Sequence, residues 1–159
     1  PYYTDWRFAS FPRGARVNQA LARMRRATPD SLRALHMDHL DLLAQRALPL
    51  LLPLLPPDSL PPTARPARAA LATWDARREA RSGAASLYTV FNAQLMRHIF
   101  LDDLPGDNEP YPGADVMISL LASGRLARYA DVDTTPTVRE TLPGQVRRAF
   151  LAAVDSLTR

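Results

Sequence analysis

The chain of 159 residues contains no cysteine, which excludes disulfide staples and thiolate metal sites. It has no lysine either: all 20 basic side chains are arginine, set against 16 acidic ones, for a formal charge of only +4. The sequence pI of about 10.1 therefore reflects the high pKa of arginine more than a surplus of charge. Arginine alongside abundant Ala, Leu and Pro points to a coding bias rather than a function. Long apolar runs are missing too. The longest, Ala47 to Pro57, is too short and too often broken by proline to span a bilayer, so no membrane partner is expected. No basic leader and no starting methionine precede Pro1-Tyr2-Tyr3-Thr4-Asp5-Trp6, which leads to the expectation that something upstream has been removed. The sequence shows no strand pattern, internal repeat, glycine-rich phosphate loop, nucleophile elbow or HExxH element. Read alone, it holds no self-sufficient active site.

What is present is helical. Hydrophobic residues make up 47% and charged residues 23%, close to a globular average, and the length suits one domain over residues 1–159. Residues 1–12 read as an extended lead-in. From Arg13 the apolar residues Val17, Leu21 and Met24 recur at helical spacing, with Arg23, Arg25 and Arg26 in the last turn, where the helix dipole favours positive charge. Thr28-Pro29-Asp30-Ser31 opens a second helix: Thr28 as N-cap, Pro29 in the first turn, Asp30 at the positive dipole end. Its pattern continues through Leu32, Leu35, His39, Leu42 and Leu43 into "AQRALPLLLPLLPP", where Pro49 and Pro53 should kink or end it. A segment apolar on every side must be buried on every side. After a proline-rich connector come a short helix, Ala67 to Trp74, and a polar loop, Arg77 to Gly83. The clearest helix is Ala84 to Leu101, with Leu87, Val90, Phe91, Leu95, His98 and Ile99 on one side. Residues 104–113 form an acidic loop, Ala114 to Ser123 a helix stopped by Gly124, Arg125 to Pro136 an irregular stretch, and Gly144 to Leu157 the last helix. The expected class is all-α.

Several clusters invite chemistry. His36, Asp38, His39 and Asp41 on "HMDHLD", with His98 as a third ligand, have the residue types for a divalent ion. A polar stripe facing solvent or a neighbouring domain is the preferred reading. The acidic run Asp102, Asp103, Asp107, Glu109 and Asp115 lacks the fixed glycine and ligand spacing of an EF-hand, so a solvated loop is preferred. "RMRR", Arg23 to Arg26, has no interleaved aromatics and belongs to no reading module, so no nucleic-acid partner is expected. Pro1 as a secondary-amine nucleophile is set aside because nothing here is β-rich.

Five short patterns in order carry a resemblance: "PYYTDWRFASFPRGARV" with Arg13 and Arg16, "TPD", "HMDHLD" followed by "ALPLLLPLL", "LATWD", and "GAASLYTVF". Together they resemble the penicillin amidase family of N-terminal-nucleophile hydrolases, which includes penicillin, cephalosporin and acyl-homoserine-lactone acylases. The matching part is the helical portion of the beta chain, inserted between strands of an αββα core. His36 and Asp41 depart from that pattern, which has Gln and Ser there.

The resemblance implies a hydrolase of linear amides that releases an acyl group from a β-lactam or homoserine-lactone amine through an acyl-enzyme on an N-terminal Ser. That Ser, and the Asn that helps stabilise the oxyanion, lie outside this sequence. No residue here is therefore expected to be catalytic, and the segment alone is expected to be inactive scaffold. Arg16 corresponds to the family arginine that supports the active site beside that Asn. Asp5 corresponds to a carboxylate that in some members ligates a structural calcium, and no cofactor is implied for catalysis. The implied partners are the rest of the same precursor, its alpha chain and remaining beta chain, and a small amide substrate. The isolated segment is expected to oligomerise through exposed apolar surface. The residues leave the compartment unknown; a periplasmic or secreted parent is compatible with the resemblance. The alternative is a free-standing helical interaction module that docks through Leu48 to Leu55.

Overall fold

The computed structural model of the chain describes residues 11–100, 112–131 and 137–159. Among these, seven α-helices and no strand are found: α1 Pro12–Arg23, α2 Pro29–His36, α3 Leu42–Leu51, α4 Arg65–Thr73, α5 Gly83–Phe100, α6 Ala114–Ala122 and α7 Leu142–Thr158. The all-α expectation holds.

Helix starts follow local chemistry. Thr28 and Ser31 form a reciprocal capping box at α2, with Pro29 in its first turn. Thr141 accepts from the Gly144 amide at 3.3 Å and opens α7. Gly124, at φ +71°, takes the left-handed conformation that ends α6, and a short 3-10 helix, Arg125–Tyr129, follows where an irregular stretch was expected. The first helix begins one residue earlier than expected: Pro12 lies in its first turn, so the lead-in ends before it. It also ends sooner. Met24 is its C-cap, so Arg25 and Arg26 lie beyond the helix rather than in its last turn.

The larger correction concerns "HMDHLD". The helix opened by Pro29 stops at His36, and residues 37–41 form a joint before α3 starts. Asp41 makes the break: one of its oxygens accepts from the Leu43 and Ala44 amides, both at 2.9 Å, as an N-cap. The joint is then tied to distant chain. The Asp41 amide donates to the Ala76 carbonyl at 2.8 Å and the Arg78 amide donates to the His39 carbonyl at 3.0 Å. These two bonds make an isolated antiparallel bridge between Leu40 and Arg77.

The core lies between α5 and α7, the principal packed pair. Phe91 and Phe150 meet edge to face at 5.5 Å between ring centroids. Leu87, Leu95 and Ile99 from α5, and Val146, Ala149 and Ala153 from α7, complete the contact. Tyr88, Met96 and Phe100 are buried too, so α5 hides more than the one side expected of it. The Leu/Pro run forms the floor: Leu48, Leu51 and Leu55 are buried, whereas Pro49 and Pro53 are exposed. Pro49 is accommodated inside α3, and Pro53 in the 3-10 turn Leu52–Leu54 that follows. Arg68 reaches back from α4 to donate to the Leu55 and Leu52 carbonyls at 2.8 and 3.3 Å, which satisfies acceptors left over at this end. α1 stands apart from all this, with no buried residue, and α2 buries only Leu35.

Candidate functional site

The two arginines of the Arg-x-x-Arg pattern are one turn apart on α1, which places them on one face. They converge on one residue. Arg16 donates to one oxygen of Asp38 through Nε–H at 3.0 Å and through Nη2–H at 2.5 Å. The other oxygen of Asp38 accepts from the Leu40 amide at 3.0 Å. Arg13 donates from Nη1 to the Asp38 carbonyl at 3.1 Å. The Arg16 and Asp38 side chains are only 13% and 12% exposed. The Arg16 guanidinium, then the Leu40 amide, hold the Asp38 carboxyl down from its ordinary 3.8 to about 2. Arg16 is raised in turn, chiefly by its hydrogen bond to Asp38.

A second pair stands beside the first. The other oxygen of Asp41 accepts from Arg78 Nε at 2.7 Å and stands in an ion pair with Nη2 at 2.6 Å. Arg78 also donates from Nη1 to the Thr89 hydroxyl at 2.8 Å, and its guanidinium lies 5.8 Å from the Tyr88 ring centroid. His39 and Glu79 meet at 2.8 Å over the same joint. Ala76, which precedes this contact, sits at φ +61°, a region L residues avoid. The Tyr88 hydroxyl is buried without a hydrogen-bond partner, and burial pushes its pKa up. The joint borders a groove of about 280 Å³ whose polar wall is Arg13, Arg16, Asp38, His39, Asp41 and Arg78. A larger groove of about 510 Å³ opens on the other side of the start of α1. It is floored by Leu43, Leu50, Ile118 and Ala122, and its Arg46 guanidinium lies 4.6 Å from the Phe11 ring. The smaller groove holds the charged chemistry; the larger is mostly apolar.

The metal reading of "HMDHLD" does not survive. Asp38 is committed to Arg16, Asp41 to a helix cap and Arg78, and His39 to Glu79. His98 has its pKa lowered by burial and then by Arg148 and Arg97, a cationic setting unsuited to a cation. Among the described residues no group of three or more His, Cys, Asp or Glu side chains could hold a metal ion. The preferred alternative, a polar stripe facing solvent or a neighbouring domain, leaves out that Asp38 and Asp41 are the acceptors of long-range arginine pairs. Asp5 lies outside the described residues. Also among these, no helix is long and apolar enough to cross a membrane.

Sequence reasoning singled out Arg16 but missed Asp38 as its partner and Arg78 as the partner of Asp41. The signal available was weak. Asp38 lies 22 positions from Arg16, and Arg78 37 positions from Asp41, with no period or motif linking them.

Compared with known families, the whole chain, residues 1–159, matches the family model described as penicillin amidase. No curated protein matches it significantly.

Proposed function

The chain belongs to the penicillin amidase family, and from that premise we propose that it is the helical part of a hydrolase that cleaves linear amide bonds. In this reading an acyl group passes to a Ser outside the present sequence and then to water, releasing an amine such as a β-lactam nucleus or homoserine lactone. The described residues supply scaffold. Arg16 supplies support to the active site, for which an always-charged guanidinium with several donors is suited. A structural calcium would have to be held by Asp5 together with groups from beyond the described residues.

The observation that supports this reading is the state of the α1–α2 arm. It buries one residue, Leu35, yet presents Phe11, Leu21 and Leu32, each 42% exposed, and Met37 at 68%. We read these exposed apolar side chains as the face on which the arm packs against more protein. The rest of the same hydrolase is the partner we assign to it. The competing interaction-module reading used Leu48 to Leu55 as its docking ridge, and Leu48, Leu51 and Leu55 belong to the core instead.

The test is the intact mass, under denaturing conditions, of the product of the complete gene. Two chains, the larger beginning at Ser, are expected. A single uncleaved chain without amidase activity would overturn the reading.

A further inference from the structure

Taking an ion pair out of water costs desolvation that further hydrogen bonds must offset, and groups that also seal a core or close a helix end show a structural use for the pair. The Asp41–Arg78 pair has such a use, because Asp41 also caps α3 and Arg78 also ties α5 through Thr89. The Arg16–Asp38 pair does neither. It is the better shielded of the two, at 13% and 12% exposure against 44% for Arg78 and 10% for Asp41, yet α1 brings no side chain into the core for it to seal.

Its geometry is one of fixing. Both Asp38 oxygens are committed, one to Arg16 and one to the Leu40 amide, so the carboxylate cannot turn. The Asp38 backbone is held in turn by Arg13. Arg16 is gripped along its Nε–Nη2 edge alone. A guanidinium has further donors on its other edge, and no described residue accepts from the Nη1 group; Arg16 is also one of the residues that wall the groove.

We infer that Asp38 is a positioning residue for the amide hydrolysis: it grips Arg16 by one edge so that the opposite edge is presented, in a fixed direction, to the reacting groups. The inference rests on the hydrolase reading above and adds to it the residue that aims its arginine. Arg13 is the second tie, holding the loop that carries Asp38. An arginine without this grip would keep its charge but sample several rotamers, and misplacement by about 1 Å is enough to cost on the order of 100-fold in rate.

The experiment uses the product of the complete gene and a panel of acyl 4-nitroanilides. Asp38→Asn is expected to lower kcat by on the order of 100-fold with KM changed less than about threefold, because orientation acts in the transition state. Phe150→Leu, a core change remote from Arg16, serves as the control for lost stability and should keep kcat below its unfolding temperature. Should Asp38→Asn not accumulate, Asp38→Glu carries the test, since it keeps the charge but displaces the grip; kcat should fall while Tm holds. In the 159-residue chain, the Arg16 Nε–H resonance, assigned through its loss in Arg16→Lys, should be protected from solvent exchange and lose that protection in Asp38→Asn. An active wild type whose kcat survives both Asp38 variants, or falls only as far as Phe150→Leu, overturns the positioning role. A wild type without amidase activity overturns the hydrolase reading, and this inference with it.

Discussion

The α5–α7 pair and the α1–α2 arm are built from similar sequence and reach opposite ends. In α7 the residues Val146, Ala149, Phe150 and Ala153 vanish against α5. In α1 the equally periodic Val17, Leu21 and Met24 reach at most half-burial. Charge divides the two further. Residues 12–37 carry six arginines and one acid, Asp30, so the arm holds +5 of a chain whose total is +4. Arg16 and Arg33 have carboxylate partners; Arg23, Arg25 and Arg26 have none among the described residues. An amphipathic pattern therefore promises a face to bury, not a place to bury it. The core helices meet their partner within the chain, whereas the arm is attached chiefly by polar bonds and keeps its apolar side chains exposed.

The comparison breaks most sharply under side-chain truncation. Phe150→Ala should cost about 3–5 kcal/mol in urea unfolding, the range for emptying a packed aromatic site. Leu21→Ala in the arm should stay within about 0.5 kcal/mol. A large loss at Leu21 would mean that the arm already shares the core's cooperativity. The joint between the regions comes next. Asp41→Ala removes the α3 cap and the Arg78 acceptor together, and a loss of about 1–2 kcal/mol is expected by thermal unfolding. Ala76→Gly sets two effects against each other. Relief of the left-handed alanine, about 1–2 kcal/mol, is offset by the extra freedom glycine gives the unfolded chain and by the loss of a buried methyl worth about 0.8 kcal/mol, so Tm should hardly move.

Acid separates the regions more gently. Asp38 has a depressed folded pKa, so its contribution is complete above the ordinary 3.8 and is lost as pH falls toward about 2. The protection of α1 amides, relative to their intrinsic exchange rates, should fall through that window while that of α5 persists, and Asp38→Asn should remove this pH-dependent loss of protection. Uniform loosening of both helices would show that the arm has no separate anchor.

Much of this was legible in the sequence where the cause is local. Thr28, Gly124 and the strong period of α5 act over a few residues, and each element formed where it was expected. The break at residues 37–41 was hidden because Leu35, His39, Leu42 and Leu43 keep a helical period straight across it. The capping power of Asp41 and its bonds to Ala76 and Arg78 outweigh that period. Arg16 entered through a resemblance. Its partner Asp38 needed the fold, because the turn that joins α1 to α2 decides which carboxylate the arginine meets.

The bridge between Leu40 and Arg77 is small, yet it works as a buckle. It closes a ring of about 36 residues that contains α3, the proline-rich turns and α4; a covalent closure of that size would remove about 4 kcal/mol of chain entropy from the unfolded state. Opposed residues outside the hydrogen-bonded positions of an antiparallel pair stand close together, a spacing suited to a disulfide. In a chain without cysteine, Leu40→Cys with Arg77→Cys would have only one pairing to make. That single bond would turn the buckle into a redox-operated lock on the joint that carries Asp38.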